Sequence, residues 1–257
     1  MSDAVPVFTT PSPRIRRVAV DRPWTWLAQG WRDMLDSPRA SLGLGGLVAA
    51  LSILISAVTV SSGSAYLLLP LTAGFAFVAP LLAVGLYEIS RRNAAGEATS
   101  LQEALFAVRR NGTQVALMGL VLMLFHLAWI RLVTLLYALF FERVNPPLDQ
   151  LVNMLLFSRV SLPFLVTGTV IGAVLAAIVF AISAISIPML LDRDTNVFTA
   201  MATSWTAVQT NWAPMALWAA LIVIFLMLGF VTFYIGLAVA LPLIGHATWH
   251  AYKDLVE

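Results

Sequence analysis

The stretch Gly74–Arg92, GFAFVAPLLAVGLYEISRR, limits the possible folds more than any other part of the chain. It is an apolar segment with one proline, Pro80, and it ends in charge at Glu88, Arg91 and Arg92. Versions of it recur around Pro188, before Asp192-Arg193-Asp194, and around Pro242, before Lys253-Asp254. An apolar run of ~20 residues crosses a ~30 Å hydrocarbon core as a helix. Lipid offers the backbone no hydrogen bonds, so only helices and closed barrels span it. Barrel strands alternate apolar and polar residues, and these runs do not. The expected class is therefore an all-α, polytopic membrane protein.

Composition points the same way. The chain is 60% hydrophobic and 11% charged, against the ~25% charged residues of a soluble domain. Such a chain cannot cover itself with polar side chains, so part of its solvent is lipid. Cysteine is absent, which excludes disulfides, thiolate metal sites and cysteine nucleophiles. The first forty residues hold no apolar core of a signal peptide, so no cleaved leader is expected.

Residues 1–21 read as a disordered basic tail. Pro6, Pro11 and Pro13 discourage regular structure, and Arg14, Arg16 and Arg17 suit anionic headgroups, at about 1 kcal/mol each. Residues 22–257 read as one integral membrane domain. It opens with an amphipathic helix over Arg22–Ser37, with Pro23 in its first turn. Trp24, Leu27, Trp31, Met34 and Leu35 form its apolar stripe, and Trp26 falls off it. Such a helix lies in the interface with tryptophan at headgroup depth. Two more follow at Leu101–Arg110, after a Ser100–Glu103 capping box, and at Phe198–Thr210. Leu148, Leu151, Val152, Leu155 and Leu156 add an apolar patch in the loop 135–162.

Six spans are expected, at about 41–60, 66–87, 113–134, 163–191, 213–230 and 235–252. They form three hairpins, each preceded by an interfacial helix on the cytoplasmic side. Aligning Leu27, Leu101 and Met201 also aligns Trp31, Leu105 and Trp205, then Ser37, Asn111 and Asn211. Arg14, Arg16, Arg17, Arg22, Arg32, Arg39, Arg91, Arg92, Arg109, Arg110, Arg193 and Lys253 fall on one side of these spans. Only Arg131, Arg143 and Arg159 fall on the other. The positive-inside rule then places both termini in the cytoplasm.

Three stretches, Pro23–Ser37 (PWTWLAQGWRDMLDS), Pro80–Arg92 (PLLAVGLYEISRR) and Gly245–Leu255 (GHATWHAYKDL), carry a resemblance. The chain resembles a family of bacterial integral membrane proteins catalogued as domain of unknown function 2189. The resemblance implies a multi-pass protein of the bacterial inner membrane with no settled activity. Some members are related by label to a haem–copper oxidase subunit, which needs several intramembrane histidines. This chain has three histidines in all.

Few residues carry chemistry. His246 and His250 share a helical face, and Asp254 continues it, so the three could reach one metal. The sequence H-A-T-W-H lacks the glutamate of H-E-x-x-H, and interfacial histidines are the preferred reading. His126 is an intramembrane polar group, a proton relay or haem ligand by default and a helix–helix hydrogen bond by preference. Glu88, Arg91, Arg92, Arg109 and Arg110, with the tail arginines, Trp24 and Trp31, form a cytoplasmic patch for lipid or a partner. Pro80, Pro188 and Pro242 are candidate hinges. Gly168, Gly172 and Ala176, beside Ala173, Ala177 and Ala181, predict close helix packing.

No Walker A, G-x-S-x-G or dinucleotide fingerprint occurs. The expectation is a non-enzymatic accessory, scaffold or assembly component of a membrane complex, with no cofactor. Its partners are the lipid bilayer and another membrane protein or respiratory complex, and no nucleic acid. The alternative is a small-solute or lipid transporter, marked by a polar-lined cavity between the proline-bearing helices. A haem or metal protein is the third reading.

Overall fold

The computed structural model describes residues 13–141, 153–155 and 157–257. Its helices are α1 (Arg22–Asp36), α2 (Pro38–Ser61), α3 (Leu68–Leu82), α4 (Val84–Ala94), α5 (Leu101–Phe106), α6 (Gly112–Phe140), α7 (Ser161–Ser183), α8 (Ser186–Asp192), α9 (Val197–Thr210), α10 (Trp212–Val231) and α11 (Leu237–Leu255). Among the described residues there is no strand, only an isolated antiparallel bridge between Ile15 and Val256. Apart from Leu155, the leucine patch expected at 148–156 lies outside the described residues.

Five helical stretches are long and apolar enough to cross a membrane: Pro38–Ser61, Ala65–Ala94, Leu101–Phe140, Ser161–Asp192 and Trp212–Val231. The sixth expected span coincides with α11, which does not meet that measure. Its second half carries His246, His250, Lys253 and Asp254. The reason is visible in its surroundings. α11 is buried from Ala240 through Trp249 and again at Ala251, Tyr252 and Leu255, with α1, α2, α4 and α10 packed around it. A helix whose neighbours are protein rather than lipid need not be apolar all round. Hairpins are not uniformly the packing unit either: α10 packs on α11 and α6 on α7, but α2 packs mainly on α11 and α3 on α6.

The order of elements nonetheless repeats. Each short helix (α1, α5, α9) leads into a long one (α2, α6, α10), and a proline-bearing helix follows. The joints have nearly one backbone conformation: φ −129°, ψ 57° at Ser37, φ −137°, ψ 55° at Asn111 and φ −121°, ψ 42° at Asn211. Each joint's side chain ties down a passing segment. Ser37 Oγ donates to Asn93 Oδ1 at 2.8 Å. Asn111 Nδ2 donates to the carbonyls of Leu190 and Thr195 at 3.1 and 3.2 Å. Asn211 Nδ2 donates to the Arg16 carbonyl, and its Oδ1 accepts from Val18 N, both at 2.9 Å.

Those last contacts bear on the tail. Residues 13–21, grouped with the disordered tail by their prolines and arginines, run beside the C-terminus. Arg16 N donates to Leu255 O at 2.9 Å and Glu257 N to Arg14 O at 3.0 Å. Residues 1–12 lie outside the described residues.

Two of the three prolines accompany breaks. α3 ends at Leu82, just after Pro80, and α4 begins at Val84. The α7–α8 break falls at Ala184–Ile185, where the ring of Pro188 would press on the carbonyl four residues back. Ser204 of α9 fills the gap: its Oγ donates to Ala181 O at 2.8 Å and accepts from Ile185 N at 3.2 Å. Pro242 leaves α11 continuous. It removes the donor for the Ala238 carbonyl, and Gly45 of α2 lies against that oxygen too closely for any side chain.

The interior face of α1 differs from the expected stripe. Pro23, Trp26, Leu27, Gly30, Asp33 and Met34 are buried. Trp24 and Leu35 are more than half exposed, at 56% and 59%. Trp26 is fully buried and meets Trp218 edge-on, their ring centroids 5.9 Å apart. The aligned positions Trp31, Leu105 and Trp205 are 46%, 45% and 43% exposed, so the three short helices turn one equivalent apolar position outward.

Candidate functional site

The polar residues of α11 form a ladder whose rungs grip α2 and α4 at one end and α1 at the other. His246 is fully buried, with Nε2 2.9 Å from Ser41 Oγ on α2 and Nδ1 2.8 Å from Ser90 Oγ on α4. A neutral imidazole donates from one nitrogen and accepts at the other, so the two serines hold it in opposite roles. His250 Nε2 lies 2.8 Å from Asp33 Oδ2 on α1. Asp254 accepts both Nε and Nη2 of Arg22, at 2.7 and 2.8 Å, and Trp26 Nε1 at 2.9 Å. Burial opposes ionisation of Asp33, but hydrogen bonds from His250 and Ser90 outweigh it and hold the carboxyl below its usual range. The bond and charge of Asp254 push the Arg22 guanidinium further up.

Spacing had put His246, His250 and Asp254 on one face, and they do share it. They are not gathered around a common point. Among the described residues no group of three metal-type ligands occurs. The ladder is a clamp that fixes α1, α2 and α4 to the axial helix.

The other predicted residues are similarly engaged. His126 Nδ1 lies 3.1 Å from the Gly74 carbonyl. A carbonyl only accepts, so Nδ1 carries the proton and ties α6 to α3. Trp129 Nε1 adds a second tie to Pro70 O at 2.8 Å. Glu88, 3% exposed, accepts Arg91 twice at 2.8 Å and Arg92 at 3.1 Å, with Arg110 at 3.8 Å. Arg92 also reaches Glu103 at 2.7 Å. The cap bonds from Ser100 and the bond from Arg92 hold the Glu103 carboxyl at about 2. Arg109 lies over the Phe106 ring at 4.3 Å. Arg16 pairs with Glu257 at 2.9 Å. Arg14, Arg17, Trp24 and Trp31 are exposed.

What the ladder leaves open is an apolar cleft of about 740 Å³ among α3, α7, α10 and α11. Its walls are built from small residues: Ala76 and Ala79 of α3, Ala83 at the α3–α4 joint, Ala173, Ala176 and Ala177 of α7, Ala216, Ala219 and Ala220 of α10, and Gly245 of α11. Helices that face one another with methyl groups alone leave the space that larger side chains would fill. Pro80 also lines the cleft, and its volume is within the ~300–1,000 Å³ of small-molecule sites.

The cleft revises two expectations. The small residues of α7 do not all serve close packing. Gly172 faces the Trp129 ring, which would lie 3.0 Å from an added Cβ, whereas Ala173, Ala176 and Ala177 line the open space. The cleft touches α3 and α11, which bear Pro80 and Pro242, but not α8 with Pro188, and it is apolar and not polar. Sequence reasoning missed the alanines of α3 and α10, which recur at helical spacing, and Ser183 and Trp218, which join them in the wall.

No curated protein and no solved structure matches the chain. One family does: residues 68–192 match the family described as predicted integral membrane protein (DUF2189). The match runs from the start of α3 to the end of α8, just under half of the chain. It takes in Pro80–Arg92 and leaves out Pro23–Ser37 and Gly245–Leu255. With several membrane-length apolar helices around this segment, the chain is an integral membrane protein similar, over residues 68–192, to the family DUF2189.

Proposed function

We propose that this protein handles lipid without catalysing a reaction, accepting the apolar part of a lipid molecule in the cleft among α3, α7, α10 and α11. The cleft itself carries the reading: an apolar space of about 740 Å³ between helices of membrane length, walled by alanine on three of them. An apolar lining offers a polar solute nothing in exchange for its water, so lipid handling is favoured over small-solute transport. The accessory role drew on the small residues of α7, of which Gly172 faces Trp129 and Ala173, Ala176 and Ala177 line the cleft. The proposed setting is a bacterial inner membrane with both termini cytoplasmic, supported by the distribution of arginine along the chain.

Filling the cleft tests the reading. Ala177→Phe and Ala219→Phe place aromatic rings in the open space. Wild-type protein purified in mild detergent should carry lipid detectable by native mass spectrometry, and the filled variants should lose it while melting no earlier. Equal lipid on wild type and filled variants would overturn the proposal.

A further inference from the structure

We infer that the cleft's occupant is an acyl chain whose carbonyl oxygen is hydrogen-bonded by Trp218 and Ser183; this rests on the lipid-handling reading. Trp218 is 0% exposed and Ser183 1% exposed, and both are in the wall of the cleft. Among the described residues, Trp218 Nε1 and Ser183 Oγ have no hydrogen-bond partner.

Thr99 Oγ1 and Tyr137 Oη are also unpartnered among the described residues, but only Ser183 and Trp218 share the wall of the cleft. The indoles of Trp26 and Trp129 find acceptors in Asp254 and Pro70. The hydroxyls of Ser52, Thr72, Thr134 and Thr248 each donate to the carbonyl four residues back. Ser183 forms no such bond. A buried polar group without a partner is destabilising, and within hydrocarbon no water is at hand to satisfy it.

The two groups define their partner. An indole N–H only donates, and a hydroxyl also donates, so the missing atom is an acceptor. One carbonyl oxygen has two lone pairs and can take both bonds. The remaining lining is almost entirely apolar, which suits a hydrocarbon chain.

A free fatty acid and an ester-linked lipid share this chemistry. The test uses the full chain in detergent with three probes: 9,10-dibromostearic acid, phosphatidylcholine bearing dibrominated acyl chains, and 9,10-dibromooctadecane, which has no carbonyl. Binding is followed by native mass spectrometry and by bromine quenching of tryptophan fluorescence. At least one carbonyl probe should bind about tenfold more tightly than the alkane, since a site built to donate rejects an analogue that cannot accept. Ser183→Ala and Trp218→Phe should each weaken the carbonyl probes by about fivefold to tenfold and leave the alkane unchanged. Tighter binding of the acid or of the phospholipid identifies the source, and either supports the inference. Equal binding of alkane and carbonyl probes, with both variants silent, overturns the inference and leaves lipid handling standing. No binding of any probe overturns both.

Discussion

At Gly30 one hydrogen atom decides whether α1 can dock. A Cβ there would lie 2.6 Å from the backbone nitrogen of Ala247 on α11, and backbone inside the axial helix cannot swing aside. Gly30→Ala should therefore lower stability by about 1–3 kcal/mol, the usual cost of overpacking. Gly46 of α2 meets nothing within 4 Å, so Gly46→Ala should be neutral or stabilising by up to ~1 kcal/mol. Thermal melts of the two variants in one detergent check both; equal melting would remove the steric argument. Asp33 supplies a pH prediction. Its folded pKa is depressed, so its contribution is present above the unfolded value of about 3.9 and is lost as pH falls through the folded value. Asp33→Asn should melt earlier than wild type at neutral pH, and the gap should shrink below about pH 4. A constant gap across the acid range would show that Asp33 does not titrate the α1–α11 contact. The local sequence conveyed little of this. Periodicity chose Trp24, Trp31 and Leu35 because α1 has apolar residues on two faces. The acceptor that draws Trp26 inward, Asp254, is 228 residues away.

Among elements, the α7–α8 junction shows what a proline does and what it leaves to its neighbours. Proline spacing was legible in the sequence, and so were the charged ends of α4 and α8. The way the gap is closed was not, because Ser204 reads as one more polar residue of an amphipathic helix. Ser204 serves two backbone groups, Ala181 O and Ile185 N, at a fully buried position. Ser204→Ala should cost about 1–3 kcal/mol, as for buried groups left unsatisfied. Pro188→Ala should cost less, since the break stays bridged by Ser204. Chemical denaturation of the two variants ranks them, and the reverse order would mean that proline alone sets the break. The cleft was hidden for a related reason. A stripe of small residues predicts close approach when the opposing helix advances and a void when it does not. Residues 173–177 do not say which, because the answer depends on where α3 and α10 stop.

For the molecule as a whole, the threefold order of elements was legible because it is written in spacing. Ser37, Asn111 and Asn211 were aligned by counting residues, and they share one backbone conformation. The axial place of α11 was not legible, because hydropathy reports what a helix would prefer as solvent and not what surrounds it. α11 has 19 residues, about 28 Å at helical rise, close to the ~30 Å hydrocarbon core. Its polar half is clamped by α1, α2 and α4, so lipid need never meet it. The expected outcome is that α11 crosses the membrane although its own composition would not insert it. The absence of cysteine makes this measurable with single replacements and a membrane-impermeant thiol reagent. Ser62→Cys and Ile235→Cys, in exposed turns after α2 and α10, should label from the periplasmic side. Glu97→Cys, Asp194→Cys and Glu257→Cys, at exposed positions, should label only once the membrane is opened. If residues 235 and 257 label from the same side, α11 re-enters without crossing. The alternation of the spans then ends at α10, and the shared joints would describe three similar corners and not three repeated crossings.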